Sequence, residues 1–128
     1  MNQEITTFED LEAYKAAREL RMYVFQSVIP SLISAKEFDL SNQLKRSSRS
    51  VTANIAEGYG RFHYLDNSKF CSNARGSLTE TLDHLNVSLD DGIIPNDVYS
   101  KARKIYETAI KILNGYINYL YRSANKSK

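Results

Sequence analysis

Between residues 71 and 89 the apolar side chains fall three or four positions apart: Cys71, Ala74, Leu78, Leu82, Leu85 and Leu89. That spacing follows the 3.6-residue turn and dictates a helix that buries one stripe. Three further stretches carry the same signature, and none shows strand-like alternation bounded by hairpin turns. Two prolines and five glycines are few enough to leave long helices uninterrupted. Four helices with short loops predict an all-α, up-down-up-down four-helix bundle. At 128 residues the chain suits one such domain, 1–128, with helices expected near 8–33, 40–60, 66–90 and 96–123.

The first helix opens at Thr7-Phe-Glu-Asp10, a capping-box-like start. Its apolar residues, from Leu11 and Ala13 through Tyr14, Ala17, Leu20, Met22, Val24, Phe25, Val28 and Ile29, cover more than half the helical circumference. Arg18 and Arg21 interrupt them. A helix packed on one side needs a stripe of roughly 100°, so this one should meet two neighbours or another subunit. Pro30 should kink or end it, although Leu32 and Ile33 continue the pattern, and Ser34 to Asp39 read as a loop. The second helix packs through Leu44, Val51, Ile55 and Tyr59. Ser47, Ser48, Thr52, Ala56 and Gly58 are small enough to let a neighbour approach closely, and the helix should end near Gly60. Arg61 to Leu65 read as a loop, with Asp66 or Asn67 capping the third helix, which Asp90-Asp-Gly92 breaks. The fourth helix starts near Pro95 or Asn96. It should bury Val98, Ala102, Ile105, Ala109, Ile112, Tyr116 and Leu120, flanked by Tyr99, Tyr106, Ile110, Leu113, Ile117 and Tyr121. The polar tail, Asn125 to Lys128, should fray.

Several function classes find no support in these residues. No run approaches the ~20 apolar residues of a membrane span, and Met-Asn-Gln-Glu-Ile lacks a signal pattern. The single Cys71 cannot form an internal disulfide, which fits a reducing, cytoplasmic setting. One cysteine and two histidines are too few for a usual zinc site. A di-iron bundle needs Glu-x-x-His on two helices; Glu80-Thr-Leu-Asp83-His84 is the nearest approach, and Asp83 and His84 diverge on a helix. No metal, cofactor or catalytic set is therefore expected, and the chain reads as a non-enzyme. Cys71 reads as a buried structural thiol, and His63 and His84 as ordinary loop and helix-flank residues. Asn54 and Glu57 on the second helix, with Ser77 and Glu80 on the third, read as a polar network fixing helix register.

A net charge of +2 does not announce a nucleic-acid binder, but its distribution is uneven. Residues 1–40 carry −3, 41–75 carry +4, 76–97 carry −5 and 98–128 carry +6. Lys45, Arg46 and Arg49 point away from the packing face of the second helix, with Arg61, Lys69 and Arg75 beyond. The fourth helix adds Lys101, Arg103, Lys104 and Lys111. Tyr59, Phe62 and Tyr64 interleave. Basic groups neutralise phosphates and aromatic rings stack on exposed bases. The candidate nucleic-acid site is accordingly Lys45, Arg46, Arg49, Arg61, Lys101 and Lys104. The alternative is a protein-interaction scaffold whose basic faces pair with acidic partners or with its own acidic third helix.

Asn54-Ile-Ala-Glu-Gly58, followed by Tyr-Gly-Arg61, stands with Phe8-Glu-Asp-Leu-Glu12, Leu44-Lys-Arg46 and Gly76-Ser-Leu-Thr-Glu80. In these pieces the chain resembles the ribosomal-protein-like four-helix bundles encoded within intervening sequences of bacterial 23S rRNA genes, over roughly residues 8–120. Family members usually carry Pro two residues before the Asn, where this chain has Thr52. The resemblance implies a homopentamer. The chain is also similar to the accessory protein of diversity-generating retroelements, a basic pentameric barrel that binds nucleic acid and a reverse transcriptase. By that analogy the basic residues of the second helix, and of the fourth, would meet RNA or DNA. The wide apolar arc of the first helix is the independent argument for self-association.

Overall fold

The computed structural model describes residues 4–126, and every regular element among them is helical. A 3-10 turn, Phe8–Asp10, leads into α1 (Glu12–Tyr23), a π-helical turn (Val24–Val28) and α2 (Ile29–Ser34), which together make the first long helix. Three more long helices follow: α3 (Phe38–Gly60), α4 (Tyr64–Asp90) and α5 (Asn96–Lys126). The first residues of the N-terminal stretch, 1–3, and the end of the polar tail, 127–128, lie outside the described residues. Asn125 and Lys126 are still helical, so the last helix outruns its expected end.

The start of the first helix differs from its sequence reading. Thr7 Oγ1 accepts from the Glu9 N–H at 3.1 Å, while Asp10 Oδ2 accepts from the N–H groups of Thr6 and Thr7 at 2.9 and 3.1 Å. Those donors hold the Asp10 carboxyl below its ordinary pKa. The box closes only the 3-10 turn, because Leu11 is extended (φ −67°, ψ 131°) and α1 begins after it.

Pro30 does not end the helix. A proline lacks an N–H and its ring collides with the carbonyl four residues back. The π turn widens the helix just ahead of it, with the Ile29 N–H reaching Val24 O. Pro30 then falls in the first turn of α2, where its missing donor matters least. Val28, Ile29 and Leu32 all remain buried. The helix closes with Lys36 in the left-handed region (φ 61°), where Lys36 N–H donates to Ile33 O at 3.0 Å and Glu37 N–H to Leu32 O at 2.9 Å. The same two-bond cap ends α4, where Gly92 (φ 73°) bonds Leu89 O and Ile93 bonds Ser88 O, both at 3.0 Å. Glycine takes this conformation without a side-chain penalty. Lys36→Gly is expected to raise stability by about 1 kcal/mol and Gly92→Ala to lower it by about as much, read from urea midpoints.

Each long helix packs on two others: α3 on α4, α4 on α5, α5 on α1, and α1 back on α3. Two neighbours account for the wide apolar arc of the first helix, leaving Met22 (38%) and Ile33 (44%) as its exposed remnants. Leu20, Leu32, Leu44, Ile55, Leu78, Leu85, Leu113, Ile117 and Leu120 fill the centre. On α5 the buried row includes Leu113 and Ile117, the expected flank, while Val98, Ile105, Ile112 and Tyr116 are half-buried. On α4, Thr81, His84 and Ser88 are buried and Leu82 is only half so. Neither Asp66 nor Asn67 caps α4, which begins at Tyr64, two residues before the expected 66; its N-cap, His63, makes no side-chain bond. Asn67 turns inward, beneath Gly58. A Cβ on Gly58 would lie 2.6 Å from Asn67 Oδ1 and 3.0 Å from Asn67 O, so the small face of α3 does bring a neighbour close.

Candidate nucleic-acid interface

The outward stripe of α3 presents Arg46 and Arg49 to solvent, with Lys45 half-buried beside them. Arg49 does not float free: its guanidinium lies 4.7 Å above the ring of Phe25, which the π turn supplies. One turn along, Arg21 of α1 donates through Nη1 to Thr52 Oγ1 at 2.7 Å, and Thr52 donates in turn to Arg49 O at 3.1 Å. Two guanidiniums from two helices thus flank a groove of about 310 Å³ floored by Met22 and Phe25.

Neither guanidinium meets a carboxylate among the described residues. The ion pairs there are Lys15–Glu12, Arg61–Glu57, His84–Glu80 and Arg103–Glu107. Rigid guanidinium donors held by neutral partners suit an incoming oxyanion, because little side-chain freedom is lost on binding. The other expected basic residues are placed elsewhere. Arg61 stacks 4.9 Å over Phe70 and pairs with Glu57 at 3.0 Å, about 18 Å beyond Arg49 along the axis of α3. Lys101 sits 5.3 Å over Tyr23 on the α1–α5 seam, and Lys104 is exposed on α5. Arg21, Phe25 and Thr52 were not singled out by sequence as site residues. Their trace was the interruption of the apolar arc by Arg18 and Arg21.

The polar contacts between α3 and α4 run through hydroxyls. Ser50 and Ser77 share a bond of 2.9 Å, Ser47 and Thr81 one of 2.8 Å, and Asn54 Nδ2 donates to Ser50 Oγ at 3.0 Å. Asn54 and Ser77 therefore meet through Ser50. Glu57 and Glu80 stay outside, bonded to Arg61 and His84 on their own helices. A carboxylate drawn between the helices would lose several kcal/mol of hydration without a cation to replace it, whereas hydroxyls satisfy one another. His84, expected as an ordinary flank, is buried against Glu80.

Cys71 Sγ donates to Asn67 Oδ1 at 3.4 Å, and Asn67 Nδ2 donates to Tyr116 Oη at 3.0 Å. Burial pushes the Cys71 thiol and the Tyr116 hydroxyl each up to about 12. Both groups bind their protons more tightly folded than unfolded. Their contribution is complete below about pH 9 and is lost as pH rises toward 12. Stability read from urea midpoints is expected to start falling near pH 9, and Cys71→Ala to move that onset up by about one unit, to where Tyr116 alone acts. Among the described residues no group of three His, Cys, Asp or Glu is arranged to hold a metal, and no helix is long and apolar enough to cross a membrane.

Fold and surface together define an all-helical, four-helix protein with a groove between its first two long helices whose guanidiniums meet no carboxylate among the described residues. A sequence model of the 23S rRNA-intervening sequence protein family matches residues 9–115, and the chain belongs to that family. No curated protein sequence matches it.

Proposed function

We propose that this protein is a non-enzymatic nucleic-acid-binding protein that takes RNA through the groove between α1 and α3. The observation that carries this reading is the pair Arg21 and Arg49, fixed by Thr52 and Phe25 and without a carboxylate partner among the described residues. The family's tie to 23S rRNA intervening sequences favours RNA over DNA. Arg46 and Arg49 against Asp83 or Glu80 would favour the scaffold alternative; within the chain Arg49 lies on Phe25 instead, which leaves that alternative its acidic partners. The pairings Arg21 with Thr52, Ser47 with Thr81, Ser50 with Ser77, and Asn67 with Tyr116 support the up-down-up-down order of helices.

Self-association into a homopentamer belongs to the same proposal and rests on the family likeness, since two neighbours within the chain already use most of the first helix's arc. A ring would repeat the groove and raise avidity. The setting is the cytoplasm, where a lone thiol stays reduced. The test is titration of fluorescein-labelled single-stranded RNA at several salt concentrations, with mass followed by light scattering. Four cationic contacts per strand, from Arg21, Lys45, Arg46 and Arg49, give a log–log salt slope of about −3. Absence of salt-dependent binding at low ionic strength sinks the reading, and a monomer by scattering sinks the pentamer.

A further inference from the structure

The end of the bundle formed by residues 61–63 is built differently from the groove. A cleft of about 610 Å³ opens there between the start of α1, the end of α3, the start of α4 and the second half of α5. Five aromatic rings line it: Tyr59, Phe62, Tyr64, Tyr116 and Tyr119. Tyr116 and Tyr119 lie nearly parallel (14°, centroids 6.2 Å apart), and Tyr64 stands at 89° to Tyr119. The rings therefore offer both flat faces and edges to anything between them. A cavity of about 150 Å³ takes a benzene, so this cleft has room for two or three fused rings, within the ordinary range of small-molecule sites. Phe62 stands at the rim, 87% exposed and in the left-handed region (φ 62°). The cost of that conformation is not recovered by any packing of its ring in the core.

The chemistry of the lining narrows the occupant. No lysine or arginine lines the cleft, a single imidazole, His63, is its one basic side chain, and the one lining carboxylate, Glu12, is paired with Lys15 at 3.5 Å. Such walls do not neutralise the phosphates that a nucleic-acid strand or a lipid headgroup would bring. Tyr116 is the lining hydroxyl that the bundle holds in place. Tyr116 Oη accepts from Asn67 Nδ2 at 3.0 Å, and its own hydrogen has no acceptor among the described residues. That hydrogen is present across the neutral range, as on any tyrosine, and burial pushes its loss up to about 12.

We propose that this cleft binds a free, uncharged, planar heteroaromatic molecule of two or three fused rings, whose ring nitrogen or carbonyl oxygen accepts the Tyr116 O–H. The site is separate from the cationic groove and does not depend on the nucleic-acid reading. Acridone, neutral and fluorescent with one carbonyl, is the probe; the chain has no tryptophan to interfere. It is expected to bind saturably, once per chain. Tyr116→Phe should weaken it about fivefold through the lost hydrogen bond, and half-exposed Tyr119→Ala about tenfold through lost stacking. Carbazole, a planar tricycle of similar size without a carbonyl acceptor, should bind more weakly and ignore Tyr116→Phe. Arg49→Ala should leave acridone binding unchanged. Circular dichroism checks that each variant is folded, and Tyr119, lying at the surface, keeps the test open if Tyr116→Phe is not. Non-saturating acridone binding, equal affinity in Tyr119→Ala, or tighter binding of the anion 8-anilinonaphthalene-1-sulfonate overturns the proposal. So does displacement of acridone by oligoadenylate at lower concentration than by free adenosine, which would assign the cleft to a strand.

Discussion

Gly58→Ala is expected to destabilise the fold by about 3 kcal/mol, although alanine is the better helix former by about 1 kcal/mol. The added methyl would sit 2.6 Å from Asn67 Oδ1, 3.0 Å from Asn67 O and 3.0 Å from Phe70 Cβ. Two of those three contacts are with backbone or a Cβ, which move only if α4 moves. Overpacking of this kind costs about 1–3 kcal/mol. Displacing Asn67 would also break its bonds to Tyr116 and Cys71 and leave buried polar atoms unmatched, about 1–3 kcal/mol more. Gly60, Gly76 and Gly115 are the internal controls, because a Cβ at each meets nothing within 4 Å. Gly76→Ala and Gly115→Ala, inside helices, should gain about 1 kcal/mol each. Urea denaturation of the set decides the matter: a Gly58→Ala midpoint equal to or above that of the parent would contradict the close approach.

The double variant Arg21→Ala/Arg49→Ala is expected to lower RNA affinity about 100-fold at 50 mM salt, with each charge-assisted contact worth about 1.5 kcal/mol. The salt slope should flatten by about 1.4, the share of two phosphate contacts on a single strand. Lys104→Ala, exposed on α5 away from the groove, should change affinity by less than about threefold. Thr52→Val keeps every charge but removes the hydroxyl that holds Arg21, so a loss of about threefold with an unchanged slope would separate positioning from charge. If the double variant binds as the parent does, the groove is not the site.

The four long helices were legible because their apolar spacing is local information. Each helix carries its own stripe, and Gly60, Asp90 to Gly92 and Pro95 punctuate the ends. The errors lie where tertiary contacts overrule local signals. Pro30 reads as a kink or an end, and the π turn that lets the helix run on past it to Ser34 is not encoded in periodicity. Asn67 reads as a cap because short polar side chains favour helix starts; its pull toward Tyr116, 49 residues away, is invisible in the sequence. The buried face of α5 is legible at Ala102, Ala109 and Leu120, but both its rows are apolar, and only packing selects Leu113 and Ile117 over Ile112 and Tyr116. Lys45, Arg46 and Arg49 could be picked from one helix. Their partner Arg21, contributed from a different helix, could not, since nothing at residue 21 announces residue 52. Glu57 and Glu80 were drawn into the network by their small neighbours, and the structure keeps their charges in water.

Cys71 gives this molecule a built-in reporter of its own opening. It is the chain's one thiol, fully buried on α4 beside Asn67 and Tyr116 and held protonated through the neutral range. A thiol reagent can reach it only when α4 has parted from its neighbours, so the labelling rate at neutral pH measures how often that happens. With a single reactive atom, each molecule registers one event and no assignment is needed. The same reaction run on Gly58→Ala would show whether the crowded α3–α4 contact governs that opening.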